Sequence, residues 1–122
     1  MNELSIMHAG MLALSQQGHC VFRANIGQAW TGDAQRTADG CMLIRNPRPF
    51  KTGLPPGFAD TFGFTQDLRP FFIEWKTPTG RVRPEQRLFI EAMQARGAIA
   101  GIARSVDDIG QLLNQPKGKS CS

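Results

Sequence analysis

A chain of 122 residues with 41% hydrophobic and 20% charged side chains has room for one globular domain with one core and is too short for two. Its apolar content excludes wholesale disorder, and at this length a disulfide scaffold is unnecessary. The 14 Lys and Arg against 10 Asp and Glu leave a net charge of +4, which is compatible with a polyanionic partner without requiring one.

From Glu3 to Gln17 the apolar residues Leu4, Met7, Met11 and Leu14 recur at helical spacing, and Gly18 stands where a helix ends. On a wheel of about 100° per residue Glu3 falls at the edge of that face, near Met7 and Leu14. Compensation of the helix dipole is the plain reading of this carboxylate; the other is a group aimed at the core side. His19 to Ile26 alternates loosely and stops at Gly27, as a strand does. Gln28 to Gly57 is rich in Gly, Pro and polar residues, and only Cys41-Met42-Leu43-Ile44 reads there as a short strand.

Two strands follow, Phe58 to Phe64 and Pro70 to Thr77, joined by Thr65-Gln66-Asp67-Leu68-Arg69 as an antiparallel pair. With Phe64 facing Pro70, Asp60 lies opposite Glu74. A helix opens at Pro84 and runs to Arg96 before Gly97, Ala98 to Ala103 is a last strand, and Ser105 caps a final helix from Val106 to Leu113. The order predicts an α/β fold, a small mixed sheet flanked by helices, in a single domain over residues 1–114 with a polar, frayed tail over 115–122.

Cys20, Cys41 and Cys121 form no C-x-x-C pair, so neither a disulfide framework nor a zinc site is indicated. With no signal-peptide pattern and no apolar run of about 20 residues, a cytoplasmic protein with no membrane partner is expected.

The positive charge has an address. Arg45, Arg48, Lys51, Arg69, Lys76, Arg81, Arg83 and Arg87 outnumber Asp60, Asp67, Glu74 and Glu85 between positions 45 and 87, and the rest of the chain balances. Most of the basic residues are Arg, whose planar fork suits phosphate oxygens.

In Phe71-Phe72-Ile73-Glu74-Trp75-Lys76, alternation puts Phe72, Glu74 and Lys76 on one face and Phe71, Ile73 and Trp75 on the other. A cross-strand charge pair on a solvated sheet would explain Glu74 and Lys76 alone. The strand is too apolar for that, however, and Asp60 opposite Glu74 is a like-charge pair that calls for a cation between them. Oxygen ligands without His or Cys favour Mg²⁺ or Mn²⁺. Gln86, Phe89 and Met93 share a helix face, so Gln86 points at the sheet. There it either bonds nearby backbone or orients a water or carboxylate.

Gly57-Phe58-Ala59-Asp60, Ile73-Glu74-Trp75-Lys76-Thr77-Pro78-Thr79-Gly80-Arg81 and Pro84-Glu85-Gln86, together with Glu3 and Arg23-Ala24-Asn25-Ile26-Gly27, resemble the virus-type replication-repair nuclease (VRR-NUC) family. That family belongs to the PD-(D/E)XK nuclease superfamily. The resemblance covers most of the chain apart from about 28–52 and the tail. It implies a restriction-endonuclease-like core in which Asp60, Glu74 and the Trp75 backbone carbonyl bind Mg²⁺ or Mn²⁺. Lys76 then holds or deprotonates the attacking water, and Gln86 and Glu3 match the family's helix glutamine and first-helix glutamate. The implied reaction is metal-dependent hydrolysis of a DNA phosphodiester. Small stand-alone members are phage-encoded homodimers that act on branched DNA such as Holliday junctions, a DNA-repair role in a bacterial or phage-infected cell. Trp75 stands where a smaller aliphatic residue is usual, which is harmless if its side chain faces away from the metal.

Arg81, Arg83 and Arg87, with Arg45, Arg48 and Lys51 from the preceding segment, are then candidate DNA contacts. The alternative is a DNA-binding module of the same fold that does not cleave on its own. A structural protein with an ordinary Glu74–Lys76 ion pair would bind neither metal nor DNA.

Overall fold

Asn2 starts the first helix by accepting a hydrogen bond from the Ser5 N–H at 2.8 Å, and α1 (Glu3–Gln16) buries Ile6, Met7, Gly10 and Leu14 along one side. The helix ends as expected, at Gly18 with φ +88°. The computed structural model describes residues 2–24, 28–51 and 53–116, which fall into two units, Met1–Ala24 with Pro56–Ser122, and Asn25–Pro55.

The first unit carries a four-stranded sheet in the order β1-β4-β5-β6, made of β1 (Cys20–Arg23), β4 (Thr61–Phe64), β5 (Pro70–Trp75) and β6 (Ile99–Ala103). The first three are antiparallel neighbours and β6 runs parallel to β5, so the α/β class and the small mixed sheet flanked by helices are as read from the sequence. The parallel step needs a crossover, which α2 (Pro84–Ala95) supplies.

Alternation along β5 sorts its side chains as expected. Phe71, Ile73 and Trp75 are fully buried in a core with Ile6, Met7 and Leu14 of α1 and Ile109 of α3 (Asp108–Leu113). Removing each of these large side chains from water is worth about 1.5–3 kcal/mol. The other face is aromatic. Phe58, Phe62, Phe72 and Phe89 of α2 meet at ring separations between 4.8 and 5.8 Å, mostly edge to face.

The β4–β5 register is the one the loop length implies: Phe64 pairs with Pro70 and Thr61 with Ile73. The backbone ladder starts at Thr61, not at Phe58, because beyond it side chains replace carbonyls as acceptors. The Asp60 N–H donates to Glu74 Oε2 at 3.2 Å and the Trp75 N–H to Asp60 Oδ2 at 3.0 Å. The final helix begins at Asp108, with Asp107 and not Ser105 at its cap. The Asp108 carboxylate accepts the Arg104 N–H at 2.8 Å, and a turn occupies the residues expected to open the helix. Gln115 and Pro116, assigned to the tail, are bound into the fold. Arg69 donates to both their carbonyls, and the Gln115 side chain bonds both N–H and C=O of Ala100. Asn25, Ile26 and Gly27, expected to end the first strand, and the end of the tail lie outside the described residues.

The second unit corrects the reading of residues 28–57 as loop with one short strand. It is a two-stranded antiparallel ribbon, β2 (Gln28–Arg36) and β3 (Met42–Lys51). Prolines at 47 and 49 are tolerated because each strand of a ribbon has a free edge. The turn is closed by the Thr37 N–H to the Cys41 carbonyl at 2.8 Å. Hydrogen bonds from Thr37 and Cys41 hold the Asp39 carboxyl below its ordinary pKa. Among the described residues no helix is long and apolar enough to cross a membrane.

Candidate metal centre

Three elements converge where β4 and β5 leave the ladder. The end of β5 supplies Glu74, 2% exposed, and the adjoining Lys76, 8% exposed; the segment before β4 supplies the half-buried Asp60, and the first turn of α1 supplies Glu3, which is exposed and not aimed into the core. One carboxylate oxygen from each of Glu3, Asp60 and Glu74 lies within 4.8 Å of the other two. The Lys76 ammonium is 3.8 Å from Glu74 Oε1.

Gln86 is buried and holds both ends of its amide. Its Nε2 donates to Glu74 Oε1 at 2.7 Å and its Oε1 accepts the Arg83 N–H at 3.0 Å. Gln86 thus bonds the backbone at the helix start and the Glu74 carboxylate at once. Gly57 lets the chain approach. It has φ +85°, and a Cβ there would collide with the Glu85 carbonyl in the first turn of α2.

Glu74 is electrostatically unsatisfied. Burial first, and then the neighbouring Asp60 carboxylate, push its pKa from 4.5 up to about 8, against the opposing pull of Lys76. A hard divalent cation among these oxygens would reverse that balance by favouring both ionised carboxylates. The donor set fits Mg²⁺ or Mn²⁺, being all oxygen with no soft ligand.

The Trp75 backbone lies between Glu74 and Lys76 at this corner. Its side chain points into the opposite core, where Nε1 donates to Thr61 Oγ1 at 2.9 Å and the Thr61 hydroxyl donates to the Ile73 carbonyl at 3.0 Å. Thr61 thus locks the strand pair directly behind Asp60. A second support is Arg104. It donates through Nη1 to the carbonyls of Thr77 at 2.7 Å and Gly80 at 2.8 Å, which pins the turn leaving Lys76. Sequence reasoning missed both. A threonine after the candidate aspartate was a visible signal for the first, whereas a hydrogen bond across 27 residues has no local signature.

Arg81, Arg83 and Arg87 are exposed on the turn and first helical residues that follow. Arg83 also faces Glu85 at 3.6 Å with both side chains largely in solvent, a pair of little energetic weight. Arg45 and Arg48 are exposed on β3, whereas the Lys51 side chain lies outside the described residues. The candidate DNA contacts are thus split between the two units.

Comparison with protein-family models, curated proteins and solved structures returns no match for this chain.

Proposed function

We propose that this chain is a divalent-metal-dependent DNA endonuclease with a restriction-endonuclease-like PD-(D/E)XK core, of the VRR-NUC kind that its motifs resemble. The observation that carries the reading is the convergence of one carboxylate oxygen each from Asp60, Glu74 and Glu3 within 4.8 Å, beside a buried lysine two residues after Glu74, just past the end of β5. An ordinary surface ion pair offers no such arrangement, and three carboxylates beside one lysine leave the site short of positive charge.

In this reading Asp60, Glu74 and the Trp75 carbonyl hold Mg²⁺ or Mn²⁺, with Glu3 at the rim. The bound ion would polarise the scissile phosphate and lower the pKa of a water near it. Lys76 orients that water or, as the neutral amine, takes its proton; its side-chain nitrogen lies 3.8 Å from Glu74 Oε1. Gln86 fixes the Glu74 rotamer, so the carboxylate does not have to be ordered when the metal arrives. Arg81, Arg83 and Arg87 meet the phosphate backbone. One centre per chain and a branched junction with two strands to cut lead to a homodimer as the working form.

The test is cleavage of four-way-junction DNA with Mg²⁺ by wild type, Asp60→Ala and Lys76→Ala, with linear duplex as comparison and sedimentation for the oligomer. Junction-selective cutting lost in both variants supports the assignment. Equal cutting by all three proteins removes it. Metal binding without cleavage points to the non-cleaving DNA-binding module.

A further inference from the structure

The ribbon of the second unit contains an irregularity that changes which of its side chains are neighbours. Thr31 pairs with Arg48 and Asp33 with Arg45, so Gly32 alone on β2 opposes both Asn46 and Pro47 on β3. This is a β-bulge, and its residues suit it. Asn46 takes a left-handed φ of 50°, which Asn tolerates better than other non-glycine residues. A Cβ on Gly32 would stand 2.7 Å from the Arg45 carbonyl.

Side chains alternate along a strand, so residues 45 and 48 would ordinarily point to opposite faces. The extra residue cancels that. Arg45 and Arg48 stand on the face shared with Thr31, Asp33, Gln35 and Leu43, whose positions are two apart on either strand. The bulge also opens a cleft of about 460 Å³ lined by Gly32, Asp33, Asn46, Pro47 and Arg48, with Arg45 outside that lining; the shared face of the two arginines rests on the register. Both arginines are exposed, and among the described residues neither forms an ion pair, not even Arg45 with Asp33 across from it. Their partners on β2 are two residues apart, so the two guanidinium stems are spaced by roughly 7 Å, comparable to successive phosphates along one nucleic-acid strand.

We propose that the 28–51 ribbon is a duplex-gripping arm that enters the major groove of B-form DNA and that its bulge serves to set Arg45 and Arg48 side by side against the phosphates. A two-stranded ribbon fits that groove, whereas the major groove of A-form RNA is too deep and narrow to receive it. The inference rests on the DNA substrate proposed above, but its test does not involve cutting.

The experiment is fluorescence anisotropy of the full chain on a labelled 30-bp DNA duplex in EDTA, across a salt series. For Arg45→Ala/Arg48→Ala the expected result is at least about a tenfold loss of affinity and a log–log salt slope shallower by about 1.8, two phosphate contacts at about 0.9 each. Face specificity is read from charge relocation. Arg45→Ala/Leu43→Arg returns the charge to the same face and restores binding, whereas Arg45→Ala/Ile44→Arg sends it to the other face and does not. Unchanged affinity and slope in the double variant overturn the proposal. So does equal restoration by both relocations, or equal affinity for an RNA duplex. Cleavage unaffected by Asp60→Ala, with binding weakened in Arg45→Ala/Arg48→Ala, removes the nuclease reading alone; cleavage lost in Asp60→Ala, with binding unchanged in Arg45→Ala/Arg48→Ala, removes the arm alone.

Discussion

The sheet unit and the ribbon handle charge in opposite ways. At the end of β5 Glu74 and Lys76 are buried, and Glu74 is held by Gln86, by the Asp60 N–H and by Lys76. Among the described residues no buried side-chain nitrogen or oxygen lacks a hydrogen-bond partner. In the ribbon the charged groups stand in water, and only strand register decides which of them are adjacent. On the proposed reading, the groups that would need fixed geometry for chemistry sit where packing dictates position, and the groups that would only present charge to a flexible polyanion sit where register suffices.

The largest effects should come from the packed region. Asp60→Asn keeps the shape but removes a ligand charge, and calorimetric titration should show Mn²⁺ binding lost or weakened by more than about tenfold. Lys76→Ala should retain metal and lower cleavage by at least about a hundredfold. Metal loss in Lys76→Ala but not in Asp60→Asn would invert the roles assigned to these residues.

Next in size is a pH effect with a definite sign. In the metal-free fold Glu74 keeps its proton up to about pH 8, whereas the unfolded chain releases it near 4.5. Between those values the folded state binds more protons, so this group makes stability fall as pH rises. The difference in Tm between wild type and Glu74→Gln in EDTA should therefore move against the wild type by several degrees from pH 5 to 8, at roughly 4 °C per kcal/mol. Divalent cation added at pH 8 should raise the wild-type Tm and leave that of Glu74→Gln nearly unchanged. A pH-independent difference would mean that Glu74 is not the frustrated group.

How much of this was readable in one dimension also divides along the two regions. The β4–β5 register followed from the five-residue loop and the pairing of Phe64 with Pro70, and the alternation of Glu74 and Lys76 against Trp75 followed from the strand period. Both signals survive because one face of β5 is wholly apolar. The ribbon lacks such a face. Its described side chains are mostly exposed, and the bulge at Gly32 breaks the period-two pattern in mid-strand, so Gly and Pro there looked like loop residues. The start of α3 was misplaced for a different reason. Ser105 is as good a cap by composition as Asp107, and the local bond from the Arg104 N–H to the Asp108 carboxylate, four residues on, accompanies a turn where the helix was expected to open.

The smallest effects test the comparison most sharply, because they concern stability alone. Thr61→Val leaves the Trp75 indole N–H buried without its acceptor, and such a loss costs about 1–3 kcal/mol, readable as a lowered midpoint in urea. Arg45→Ala/Arg48→Ala removes two exposed cations that hold nothing among the described residues, so the same measurement should shift by less than about 0.5 kcal/mol, although this variant is expected to lose at least about tenfold in DNA affinity. Stability and binding would then be separable by region, one governed by satisfied burial and the other by unpaired charge. A ribbon variant as destabilised as Thr61→Val would show that Arg45 and Arg48 support the fold, and would remove the ground for treating them as free to meet phosphate.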